Sequence, residues 1–167
     1  MTSLRERIQR LDVEATSADE AVHARLSAGR GIEVTFDQSV LEDHDEESLG
    51  YQIEEVLSDV VQGAREFAAS IRGGGASDTS RISERDRLVN AAIDDIDLTV
   101  TSPRGLMVID WLGQSGFVVT FHPQAFDKYD HASLTGDVNA TVFAISHLRK
   151  RKTMEIHRNL YMSPTSS

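Results

Sequence analysis

Arg149-Lys150-Arg151-Lys152 places four cations in succession. Residues one apart do not share a helix face, so on a helix this run presents charge around the rod. That suits a phosphate backbone or an acidic protein surface better than a base-specific groove contact. Cations near a helix C-terminus also complement its dipole. Arg158 extends the patch, and Arg5, Arg7 and Arg10 form a second basic face near the N-terminus. Asp43-His44-Asp45 and the group Asp127, Asp130 and His131 set carboxylates beside imidazoles, the raw material for general acid-base catalysis or a metal site. Both groups fall in a loop entering an apolar-striped segment, where acidic residues cap the unpaired N–H groups of a helix, and capping is the expected role. There is no glycine-rich phosphate loop after a strand, no nucleophile elbow and no His-Glu-x-x-His. With no cysteine, disulfides and thiolate chemistry are excluded. The expectation is a binding module with no catalytic residue, no metal and no cofactor.

The segments that carry these residues occur twice. A gapless shift of 85 residues lays Val34-Thr35-Phe36 on Val119-Thr120-Phe121, Gly31 on Gly116, Asp45 on Asp130 and Ser48-Leu49 on Ser133-Leu134. So long a period is a duplicated unit and not a solenoid array. Each copy reads as helix, hairpin, helix. Ser3 with Glu6 forms a capping box, and Leu4, Ile8 and Leu11 recur at helical spacing, with Val89, Ile93 and Ile96 as counterparts. Val22, Ala24 and Leu26 alternate with polar residues, Ala28-Gly29-Arg30-Gly31 turns the chain, and Ile32, Val34 and Phe36 alternate again. In the second copy Met107, Ile109 and Trp111 face Phe117, Val119 and Phe121, while the opposite side carries Leu106, Val108, Leu112 and Val118. That sheet is expected to be covered on both faces, by an internal helix or a partner. Leu49, Ile53, Val56, Leu57, Val60 and Ala64 then form one apolar stripe of a long helix reaching Ile71, echoed by Leu134, Val138, Val142, Ile145 and Leu148.

The expected organisation is a first repeat over 1–72, a Gly/Ser-rich linker over 73–82, a second repeat over 83–162 and a disordered tail over 163–167. No apolar run approaches the roughly 20 residues of a membrane helix, and the N-terminus runs straight into charge, so a cytoplasmic location is expected. Net charge is −10 and unevenly shared: through Ile82 there are 17 acidic residues against 8 Lys or Arg, and from Ser83 onward 10 against 9. An acidic chain is not steered to phosphates by its overall field, so a nucleic-acid contact must rest on the local basic run. The acidic first half is a further surface that the run can meet within the same molecule.

The early helix Leu4-x-x-x-Ile8-x-x-Leu11, the hairpin ending in Val34-Thr35-Phe36-Asp37, and the helix opening Asp45-Glu46-Glu47-Ser48-Leu49-x-x-x-Ile53 and running to Ala64-Arg65 resemble the YbaB/EbfC family of small nucleoid-associated DNA-binding proteins. The resemblance covers both copies. It implies an α+β fold in which two YbaB-like units pack as an intramolecular pseudo-dimer, in place of the family's dimer of separate chains. It also implies weak, sequence-tolerant DNA binding, with a nucleoid location possible, through Arg149, Lys150, Arg151, Lys152 and Arg158 and the Arg5, Arg7, Arg10 face. Actinobacterial members linked to type VII secretion imply the alternative, a protein-binding accessory or chaperone using Leu106, Val108, Leu112 and Val118.

Overall fold

A computed structural model describes residues 3–73 and 84–162. The expected linker, apart from Gly73, and the expected 163–167 tail lie outside the described residues. The chain folds as a mixed helix-and-sheet protein, α+β in class. A short helix α1 (Leu4–Gln9) leads into strands β1 (Asp12–Thr16), β2 (Val22–Ser27) and β3 (Gly31–Phe36), a single turn α2 (Val40–Asp43) and the long helix α3 (Glu46–Gly73). The order then repeats as α4 (Glu84–Asp94), β4 (Asp97–Thr101), β5 (Met107–Leu112), β6 (Gly116–Phe121), α5 (Ala125–Lys128) and α6 (His131–His157), closed by a π-helical turn (Arg158–Met162). From β1 to the start of α3, every element recurs at the 85-residue shift with the same first and last residue positions.

Each sheet is antiparallel and three-stranded, in the orders β1-β2-β3 and β4-β5-β6. The hairpins expected from the alternation are present, with Val22 opposite Phe36 and Met107 opposite Phe121. The outer strands β1 and β4 correct the helix, hairpin, helix reading. Leu11 falls in step with the first helix in sequence, but α1 ends at Gln9, and Val13 and Ala15 turn half-buried faces inward from an edge strand. A six-residue helix is too short to lay a stripe on the core, and Ile8 stays 49% exposed. Its Ser3–Glu6 capping box is formed as expected. Gly31 and Gly116 open the third strands at φ +74° and +103°, a left-handed conformation that strains any side-chain-bearing residue.

Both long helices start from the expected caps. Asp45 and Asp130 each accept the backbone N–H of the serine three residues on at 2.7 Å, and Ser48 and Ser133 return a contact to the cap N–H. Helix α3 runs two residues beyond the expected Ile71, and its 28 residues span about 42 Å at 1.5 Å per residue. It packs on β1 and β2 of its own repeat and on β6 of the other, while α6 packs on β4, β5 and β3. The buried faces meet in one core that mixes both repeats: Leu49, Ile53 and Val60 from α3 and Leu134, Val138 and Ile145 from α6, with Val34, Phe36, Val119 and Phe121 from the third strands.

The third strands are sheet edges, which leave backbone groups unpaired unless something covers them. The Val119 N–H donates to Glu54 Oε1 on α3 at 2.7 Å. At the equivalent place, the Val34 N–H donates to Asn139 Oδ1 on α6 at 2.7 Å, and Asn139 Nδ2 returns a bond to Val34 O at 2.8 Å. Glu54 and Asn139 are one shift apart, so each repeat's long helix satisfies the other repeat's free edge. A Cβ on Gly50 would lie 2.8 Å from Val119 O, so this glycine permits the close approach one turn before Glu54.

Among the described residues, no helix is long and apolar enough to cross a membrane. Leu106, expected on the outer face of the second sheet, is buried at 8% exposure. Val108 is half-buried, and Leu112 and Val118 are exposed. Asp110 lies between Val108 and Leu112 on that face and accepts a hydrogen bond from Thr99 Oγ1 at 2.5 Å. The face is therefore polar-interrupted and partly exposed, and among the described residues no internal helix covers Leu112 and Val118.

Candidate functional site

The imidazole-carboxylate groups resolve into caps and struts. His44 Nε2 lies 2.5 Å from Asp19 Oδ2, while its Nδ1 meets Ser48 Oγ at 2.9 Å. Burial acts to raise the Asp19 carboxyl, but hydrogen bonds from the Ser17 hydroxyl and the Ala21 N–H, with the charge of His44, hold it below the usual carboxylate range. His131 Nε2 reaches Phe36 O at 3.0 Å, tying the start of α6 to the first sheet. At the shifted equivalent of His44, Tyr129 is buried and its hydroxyl donates to Asp137 Oδ2. Burial first, and then the Asp137 carboxylate, push that hydroxyl well above its ordinary value. Asp137 Oδ1 accepts from the Arg104 N–H at 3.2 Å. The sequence reading missed Tyr129 and Asp137, since nothing in their spacing marks a buried pair. Among the described residues there is no group of three or more His, Asp or Glu that could hold a metal ion.

The basic run falls on the last turns of α6, and the structure divides it. Lys150, Arg151, Lys152 and Arg158 are exposed, with Lys152 Nζ 4.0 Å from Glu155 Oε2. Arg149 is half-buried and lies over the Trp111 ring, 4.5 Å from its centroid, so it does not join the free charge expected of it. Trp111 is a core residue, 6% exposed and packed on Phe117 at 4.6 Å between ring centroids. Arg149 Nε is shut off from water without a hydrogen-bond partner. Burial, and then the neighbouring charge of Arg65, lower its basicity, while Asp94 partly offsets them. The second basic face, Arg5 and Arg7 on α1 and Arg10 at its C-cap, is exposed in the other repeat.

Beside this run lies a groove of about 460 Å³ between α3 and α6. Trp111 and the half-buried Leu26, Ile32 and Val61 supply apolar walls, and Arg65, Arg149 and Lys150 supply cations. Phe143, one exposed turn away on α6, is 70% open to solvent and stacks on His147. Comparison with protein-family models, with curated proteins and with solved structures finds no match to this chain.

Proposed function

We propose that the chain is a non-enzymatic binding protein of the YbaB/EbfC type, with two repeats packed as an intramolecular pseudo-dimer, and that its cationic helix end makes weak, sequence-tolerant contacts with a DNA phosphate backbone. The observation that carries the reading is the set of exposed cations Lys150, Arg151, Lys152 and Arg158 gathered on one helix end. Their surface is local, and an overall charge of −10 opposes long-range attraction, so affinity is low and depends on salt. Four phosphate contacts give a slope of log affinity against log salt of about −3.6, at about −0.9 per phosphate. Changing Lys150, Arg151 and Lys152 together to Gln removes most of that slope and leaves the thermal melt unchanged. A gel-shift titration at low salt in which the parent chain moves no DNA would end this reading.

A second reading, a protein-binding accessory role, is favoured by one observation: Phe143 is a large apolar side chain 70% exposed, lining one surface pocket with Lys150. Exposed aromatics of this kind anchor protein interfaces and add nothing to a phosphate contact. Phe143→Ala distinguishes the two, since it leaves the DNA slope intact and weakens a protein partner.

A further inference from the structure

The groove between α3 and α6 is built against the charge of the whole molecule. The chain carries 27 Asp and Glu against 17 Lys and Arg, yet the groove lining holds Arg65, Arg149 and Lys150 and no carboxylate. Its two walls come from equivalent helices and differ in a directed way. Where α3 presents Val61 and Ala64, the 85-residue shift puts Ser146 and Arg149 on α6. At these two positions the α3 wall is apolar and the α6 wall carries a hydroxyl and a guanidinium. Ser146 Oγ and Arg149 Nε are both buried without a hydrogen-bond partner, and Arg149 makes no ion pair among the described residues. A half-buried cation with no ion pair is costly; Asp94 offsets only part of that cost, and an incoming anion would relieve more of it.

We propose that this groove is a binding site for a small anionic amphiphile, a carboxylate head on an unbranched apolar chain, with the head on the Ser146–Arg149 wall and the chain along Val61 and Ala64. The volume of about 460 Å³ lies in the range of small-molecule sites, which pair apolar walls with a few placed polar groups. Trp111 is buried and Leu26, Ile32 and Val61 are half-buried along the groove, which gives an apolar chain a surface to lie on. This site overlaps the phosphate contacts proposed above only at Lys150, because Arg149 belongs to the groove and the exposed Arg151, Lys152 and Arg158 do not line it.

Trp111, the single tryptophan, lines the groove and reports on it. Titrating the full chain with dodecanoate below its micellar concentration is expected to give a saturable change in Trp111 emission at one ligand per chain. Dodecanol should bind at least about tenfold more weakly, since it lacks the charge that Arg149 and its neighbours recognise; tenfold corresponds to about 1.4 kcal/mol. Arg149→Met keeps the bulk over Trp111 and should lose about tenfold in dodecanoate affinity, while the exposed Arg65→Gln should lose a few-fold with the fold undisturbed. No saturable change with dodecanoate would overturn the proposal. So would equal binding of dodecanol, unchanged affinity in both variants, or binding of an acidic amphipathic peptide in place of dodecanoate.

Discussion

At the scale of single residues, Asn139 has the most to lose. Its amide replaces a neighbouring strand for Val34, accepting from the N–H and donating to the C=O. Asn139→Ala leaves the Val34 N–H without a protein partner, and an orphaned buried donor costs about 1–3 kcal/mol. A urea melt with an unchanged midpoint would contradict that role. Asp19 sets the response to acid. Its carboxyl is held below the ordinary value when folded, so its stabilisation is complete above the unfolded pKa and is lost as pH falls through the folded one. Asp45 and Asp130, lowered first by their bonds with Ser48 and Ser133, act with the same sign. The melting temperature should therefore fall as pH drops below about 4, and Asp19→Asn should flatten part of that fall. An acid limb as steep in the variant as in the parent would remove Asp19 from the account. The basic run was legible residue by residue, but the withdrawal of Arg149 was not. It depends on Trp111, which lies 38 positions earlier on β5 and is brought beneath the guanidinium by the fold.

The elements show where periodicity speaks and where it is silent. The stripes of α3 and α6 and the alternation in β2, β3, β5 and β6 are visible because each has a buried face long enough to repeat. Strands β1 and β4 are five residues each at sheet edges, and Leu11 just before β1 falls in helical step with Leu4 and Ile8, which extends the helix pattern over a chain that has already turned. The outer face of the second sheet misled in the opposite sense. Leu106 alternates with its neighbours in sequence, but it precedes β5 and turns inward. The register of the third strands is what matters most for packing, since Phe36 and Phe121 are both 7% exposed in the shared core. Phe121, edge-on to Phe126 and Tyr129, should cost about 3–5 kcal/mol when cut to Ala, and Phe36 a similar amount. Calorimetric melts matching the parent for both variants would mean that these faces do not point inward, because a one-residue slip reverses every side chain of a strand.

Across the whole molecule, the duplication lets one chain close surfaces that a single copy would leave open. Glu54 and Asn139 reach across to the opposite sheet edge, Glu46 Oε1 accepts from the Phe126 N–H at 3.3 Å, and His131 meets Phe36 O. These contacts sit at equivalent helix positions with different side chains, which two identical chains could not provide. Two repeats in one chain thus allow α3 to carry Ala64 and Arg65 where α6 carries the start of a basic run, with an asymmetric groove between them. In the proposed pseudo-dimer each repeat supplies what the other lacks, so one chain is expected to complete the core alone. Static light scattering after size exclusion at low micromolar concentration tests this most directly. The account predicts the mass of one chain, and a stable dimer at that concentration would contradict it.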